Sequence, residues 1–280
     1  MDNSTLSINC RGTLLHFDVP KVMGILNITP NSFHDGGQYL RESQWLGRVG
    51  EMLDEGASII DIGGYSSQPG ADFVSEEEEL QRVLPVVKSI VKHFPGAIIS
   101  VDTFRAKVAE EVIASGAGII NDISAGRLDA KMMEVAGKNK VPYIMMHMKG
   151  TPQDMQQFTT YEDLMKEMMF YFSERVAAAR ASGIKDILLD PGFGFAKTLD
   201  QNYELLHKLD LLQMFGLPVL SALSRKSMIY RFLETTAEFA LNGTSVLHTI
   251  SLIKGAQLLR VHDVKEAVEC IQLVKKTYEK

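Results

Sequence analysis

Short apolar runs alternating with helical patterns predict an α/β fold, a (β/α)8 TIM barrel with a short N-terminal β-hairpin. Three observations lead there. Eight apolar runs, at residues 22–26, 58–62, 98–101, 118–120, 142–146, 187–189, 218–220 and 257–259, have the length of buried strands. The segments between them carry apolar residues three and four apart, as in Leu80, Val83, Leu84, Val87, Ile90 and Val91. Each run stops at a polar residue: Asn27, Asp61, Asp102, Asn121, His147, Asp190, Ser221 and Arg260. Strictly alternating strands and helices demand parallel strands, and eight repeats favour closure, which gathers all the strand ends on one catalytic rim.

Taken in order, residues 1–20 read as a hairpin extension, with Leu14, His16 and Asp18 around an Arg11-Gly12 turn, expected to close the bottom of the barrel. Residues 21–280 form the barrel itself, with no linker composition to divide it. Ser75 followed by Glu78 predicts a capping box that starts a helix, and Thr235 with Glu238 predicts another. Pro85 inside the first pattern predicts a kink or a later start.

The chain has 280 residues, 45% of them hydrophobic, enough for a sizeable core. A net charge of −6 offers no basic stripe, which argues against nucleic acid, and the acidic run 76–79 reads as a solvated first helical turn. Cys10 and Cys270 lie near opposite ends without metal-ligand or redox spacing, so the expectation is a reducing, cytoplasmic compartment. The first ten residues lack a leader pattern and no apolar run approaches the roughly 18 residues of a membrane span, so neither secretion nor membrane insertion is expected.

Seven segments carry the chemistry. They are Met23-Gly24-Ile25-Leu26-Asn27-Ile28-Thr29-Pro30-Asn31-Ser32-Phe33 with Asp35-Gly36-Gly37, Gly63-Gly64-Tyr65-Ser66-Ser67-Gln68-Pro69-Gly70, Ser100-Val101-Asp102-Thr103, Asn121-Asp122-Ile123, Asp190-Pro191-Gly192-Phe193-Gly194-Phe195, Ser224-Arg225-Lys226-Ser227 and Arg260-Val261-His262-Asp263. In this order they resemble the motifs of the dihydropteroate synthases, over nearly the whole chain from Lys21 onward. The resemblance implies that p-aminobenzoate displaces pyrophosphate from 6-hydroxymethyl-7,8-dihydropterin diphosphate in folate synthesis. It also implies sulfonamide inhibition, magnesium as cofactor and a homodimer formed through barrel helices.

By the same resemblance Asp102, Asn121, Met146, Asp190, Phe195 and Lys226 hold the pterin, and Phe33, Ser67, Pro69 and Ser224 the p-aminobenzoate. Asn27, Ser67, Gln68, Arg260, Val261 and His262 take the diphosphate, Asn27 the metal, and Asp102, Asp190, Lys226 and Asp35 the catalytic roles. The residue types suit these tasks. A carboxylate meets the flat donor edge of a pterin with parallel hydrogen bonds, and fixed anions in a dry pocket favour a pterin cation. Arg260 and His262, two apart on an extended strand, point to one side, and Arg matches phosphate oxygens. One amide ligand suits magnesium, which keeps water and substrate phosphates around it.

Blander readings stand beside these: a strand-ending Asp as a helix cap, Arg260 in an ion pair, His262 in the core, Asn27 as a turn former before Thr29-Pro30. Asp122 and Asp263 read as structural, and the role of Asp61 is open between orienting its loop and touching substrate. A Schiff-base role for Lys226 would need an aldolase context that the other motifs do not provide. The rivals for the whole chain are a methyltetrahydrofolate-dependent methyltransferase, which needs no diphosphate clamp, and a catalytically silent binding barrel. One departure from the family pattern matters: Gln68 replaces a usual Arg, keeping donors but losing the charge, and is expected to weaken diphosphate or p-aminobenzoate affinity. Val246, Leu247, Ile250 and Leu252 fit either a dimer face or the barrel's own packing.

Overall fold

The computed structural model describes residues 6–28, 38–65 and 74–278. Strands β1 (Ser7–Cys10) and β2 (Thr13–His16) pair antiparallel, Ser7 opposite His16 and Cys10 opposite Thr13. Their two-residue turn works because Arg11 and Gly12 both adopt positive φ, 54° and 94°, and the Asn9 side chain accepts the Gly12 N–H at 2.6 Å.

Strands β3 (Lys21–Asn27), β4 (Ile59–Gly63), β5 (Ile98–Asp102), β6 (Ile119–Asp122), β7 (Tyr143–Met146), β8 (Ile187–Asp190), β9 (Leu220–Ser221) and β10 (Leu258–Val261) form one parallel sheet in chain order, with β10 returning to β3. The seam between β8 and β9 is closed by a Leu189–Val219 bridge and by the Leu189 N–H, which donates to Pro218 O at 2.9 Å. Around it lie α1 (Gln38–Asp54), α2 (Glu76–His93), α3 (Ala106–Ala114), α4 (Met132–Asn139), α5 (Leu164–Ala181), α6 (Leu199–His207), α7 (Ser227–Phe232), α8 (Leu241–Ile253) and α9 (Val264–Tyr278).

Helix α2 starts where Ser75 Oγ accepts the Glu78 N–H at 3.2 Å, and it runs through Pro85 without a later start. Pro85 sits on the exposed side, so the carbonyl it leaves unbonded can face water. The box expected at Thr235 does not form. The Thr235 N–H bonds to Tyr230 O and ends α7 instead, and α8 begins six residues later with no side-chain cap. A reciprocal box appears at α6, where Thr198 and Gln201 exchange bonds of 3.2 and 2.8 Å.

The pleat sorts the strands into two faces. Outward residues such as Val22, Leu26, Ile60, Ile62, Ile99, Val101, Ile120, Met145, Leu189 and Leu259 pack under the helices. Inward, Met23, Ile59, Ile119, Ile144, Leu188, Leu220 and Leu258 form a lower layer with Ile8, Cys10 and Phe17, so the hairpin plugs the bottom of the barrel. Cys10 and Cys270 are buried free thiols; burial, helped by Asp186, pushes Cys10 up to about 12. Among the described residues no helix is long and apolar enough to cross a membrane.

Candidate active site

Two residues further along the strands, the inward positions change from apolar to polar. Asp61, Ser100, Asn121, Asp190 and Arg260 stand above Ile59, Ile98, Ile119, Leu188 and Leu258. Arg260 reaches from β10 past β3: its Nε–H donates to Asp61 at 2.6 Å and its terminal N–H to Asp102 at 2.8 Å. Asn121 donates to the same Asp61 oxygen at 3.2 Å. Burial pushes Asp102 up to about 7; Arg260 opposes this, while Asp61, Glu79 and Asp122 add to it. For Arg260, burial works against the charge, but Asp61 and Asp102 outweigh it and hold the guanidinium above its ordinary range.

Asp190 closes β8 and is 4% exposed, with one oxygen accepting the Gly192 N–H at 2.7 Å. Burial raises its carboxyl, restrained by Lys226, the Gly192 N–H, Arg260 and Lys197. Lys226, at the N-cap of α7, donates to Phe193 O and lies 4.5 Å over the Phe195 ring. Burial lowers its ammonium to about 8, with Asp190 and Asp102 pulling upward and Arg260 downward. Asp102 and Asp190, 88 residues apart, therefore converge on the same cations. Beside them Ile123, Met146, Met148, Met155, Ala196, Phe104 and Phe195 form an apolar wall.

On the β9–β10 side, Ser224 accepts the His262 N–H at 3.1 Å, and its hydroxyl lies 3.0 Å from His262 Nδ1. The Ser224 hydroxyl has one hydrogen to give and a second lone pair to receive, so its contact with Nδ1 suits either tautomer of the neutral ring. Burial and then Arg260 push His262 down to about 4. Arg225, held at φ 52°, turns away and meets Asp263 with two bonds of 2.8 Å, so this pair anchors the loop. Asp122 is spent in the same way, accepting from the Ser124 N–H and hydroxyl, the Gly126 N–H and the Tyr143 hydroxyl.

Asn27 is exposed at the end of β3, and its Oδ1 lies 3.6 Å from where a Cβ on Gly63 would stand. Val261 faces the core, so only its backbone can meet an anion. Phe33, Asp35, Ser67, Gln68 and Pro69 lie outside the described residues.

Three of the polar strand ends do not sit as the linear pattern suggests. Ser221 faces outward, its Oγ 2.9 Å from Ser251 Oγ on α8, and His147 packs among Tyr161, Tyr171 and Phe172. Each is one residue out of phase with the inward set, which in a period of two means the opposite face. Asp61 lies two residues before the end of β4, beneath Asp102 instead of on the rim. One buried amine carries no local signal at all: Lys197, whose partners are carbonyls of its own loop and His147. Burial brings it down to about 7, Asp190 opposing while Lys226 and Lys149 add to the drop.

A family described as pterin binding enzyme matches residues 23–262. The dihydropteroate synthase of Escherichia coli (strain K12) is 43% identical over 274 residues, covering 97% of this chain and 96% of that one. The chain belongs to the dihydropteroate synthase family. Its fold agrees: a Yersinia pestis dihydropteroate synthase in a sulfonamide drug complex superposes with a TM-score of 0.91 at 43% identity, covering 97% of this chain and 99% of that one. A Xanthomonas albilineans dihydropteroate synthase with 4-aminobenzoic acid gives 0.92 at 37% identity, covering 99% and 100%.

Proposed function

We infer that the protein joins 6-hydroxymethyl-7,8-dihydropterin diphosphate to p-aminobenzoate, releasing pyrophosphate and 7,8-dihydropteroate. The observation that supports it most is the pair of buried carboxylates, Asp102 and Asp190, gathered with Asn121 between Arg260 and Lys226 beside an apolar wall. In this reading Asp190 and Asn121 take the donor edge of the pterin, Asp102 faces its ring, and Met146 and Phe195 enclose it. Lys226 meets an acceptor on the ring. The methylene carbon–oxygen bond breaks, its electron pair leaves with pyrophosphate, and positive charge spreads over the pterin, where the fixed anions favour it. The amine nitrogen then forms the new carbon–nitrogen bond and loses a proton. Asp35 is assigned to this step, and Phe33, Ser67, Pro69 and Ser224 to the p-aminobenzoate, which sulfonamides would displace.

The diphosphate is assigned to Asn27, Ser67, Gln68, Arg260, the Val261 backbone and His262. Arg260, already tied to two carboxylates, offers the leaving group only its remaining edge. Among the described residues no three His, Cys, Asp or Glu groups cluster to hold a metal, whereas the Asn27 amide oxygen is exposed at the rim. These residues fit a magnesium ion that arrives with the diphosphate, adding one protein oxygen to its phosphates and water. When bound, magnesium would neutralise charge on the departing pyrophosphate.

A reducing cytoplasm suits the two buried thiols. A homodimer suits the outer face of α7 and α8, where Phe232, Val246, Ile250 and Ile253 are exposed, while Leu247 and Leu252 belong to the barrel's own packing. Sedimentation of wild type against Val246→Glu tests this, a dimer becoming a monomer. The function itself is tested by dihydropteroate formation from the two substrates with magnesium, in wild type and in Asp190→Asn. A folded wild-type protein that forms no product would be the silent barrel.

A further inference from the structure

Behind the slot, besides Arg260 and Lys226, lies a further buried cation with no part yet in the chemistry. Lys197 is 4% exposed, and its Nζ lies 3.0 Å from Gly192 O, 3.0 Å from Phe195 O and 3.1 Å from His147 Nδ1. An ammonium has three N–H donors and no acceptor, and three acceptors surround this one. His147 is suited to the third place. Burial first, then Lys197, Lys149 and Arg127, hold it well below the ordinary histidine range, so the ring is neutral and Nδ1 can accept.

The loop after β8 is wound around this ammonium. Gly192, Gly194 and Ala196 have φ of 69°, 83° and 49°, and a Cβ on Gly192 would stand 2.2 Å from His147 O. Gly192 is gripped at both ends: its N–H goes to Asp190 and its carbonyl to Lys197. His147 is bound into the same unit, its own N–H donating to Asp190 O at 2.9 Å. Phe195 gives its carbonyl to Lys197 and its ring to Lys226, and Phe193 gives its carbonyl to Lys226. Two lysines thus clamp one loop, Lys226 from the slot and Lys197 from behind.

We propose that Lys197 is a positioning residue for the pterin slot: its buried ammonium sets the loop after β8 through Gly192 O, Phe195 O and His147 Nδ1, and so places Asp190, the Phe195 ring and Lys226. The substrate named rests on the function proposed above; the loop positioning does not. Lys197→Met keeps length and packing but removes every donor, and Lys197→Gln restores two of them. The expected result for Lys197→Met is a rise of about tenfold or more in the KM for the dihydropterin diphosphate, the scale of a small misplacement at a reactive site, with Lys197→Gln between it and wild type. The KM for p-aminobenzoate should move less than about twofold, because the misplaced groups lie on the pterin side.

Hydrogen exchange at residues 192–196 should quicken in Lys197→Met while the barrel strands keep their protection. Unchanged exchange with both KM values unmoved, or an equal rise in both, overturns the proposal. If Lys197→Met does not fold, Lys197→Gln and His147→Phe, which removes one acceptor and leaves the lysine, carry the same readouts. If wild type makes no product, the function reading fails and the exchange measurement alone decides for or against Lys197.

Discussion

The lower and upper halves of the barrel interior come from the same strands, one pleat apart, and are built on opposite principles. Below, Met23, Ile59, Ile119, Ile144, Leu188, Leu220 and Leu258 meet the hairpin as a dry plug. Above, Asp61, Asp102, Asp190, Arg260 and Lys226 share one neighbourhood, where buried charges are costly unless paired. Each aliphatic side chain of the lower layer contributes about 1.5–3 kcal/mol by leaving water. The upper layer contributes little net stability and keeps charges poised for a ligand. The lesson is that folding and chemistry are divided along each strand, within two residues, and not between separate parts of the chain.

That division breaks most plainly under paired substitutions. Asp190→Asn or Asp102→Asn should cut kcat/KM for the pterin diphosphate by on the order of 10²-fold or more, the scale of losing one preorganised electrostatic contact. Thermal melting of both variants should stay near wild type. Ile144→Ala, in the lower layer, should do the reverse, losing about 2–5 kcal/mol in denaturant unfolding with KM unchanged. If the lower-layer variant lost activity while still folded, the two halves would not be separate.

Arg260→Met tests the upper layer's internal pairing. It leaves Asp61 buried without a counter-charge and should lower stability by about 3–5 kcal/mol as well as activity. Adding Asp61→Leu should recover much of the stability and none of the activity.

The pH dependence sharpens the contrast. With Asp102 pushed up to about 7, its carboxylate is lost as pH falls through that value, so kcat/KM should fall on the acid side of 7, and this limb should be missing from the residual activity of Asp102→Asn. For stability the sign is opposite. From the ordinary carboxylate range up to about 7 the folded state holds a proton that the unfolded chain has released, so this group lowers stability as pH rises through that window. Urea unfolding at a series of pH values checks it.

The smallest expected effect belongs to Gln68. Gln68→Arg should lower one apparent KM by up to about fivefold, the scale of one added ion pair. Steady-state assays varying each substrate in turn would show which constant moves, and no change in either would end the idea.

Much of this could be read from the chain. Their places at the ends of apolar runs put Asp102, Asn121, Asp190 and Arg260 near one rim, and the order of the motifs connected them to one family. Asp61 was ambiguous because its meaning depends on Arg260, 199 residues away. His147 and Ser221 misled because they stand at the ends of short strands, where a single residue of phase decides the face. Lys197 was invisible because two of its partners are backbone carbonyls, which leave no trace in residue identity, and the third, His147, lies 50 residues away.

By itself, then, the sequence determined the local terms: which residues are apolar, where strands and helices alternate, and which polar groups stand near strand ends. Those are properties of neighbouring residues and of the pleat. Which carboxylate meets which cation, and which of them is buried deeply enough to have its proton affinity changed, was decided only when the barrel closed. Closure sets the stagger between strands far apart in the chain, and the desolvation that shifts Asp102 and Lys226 exists only once those strands exclude water together.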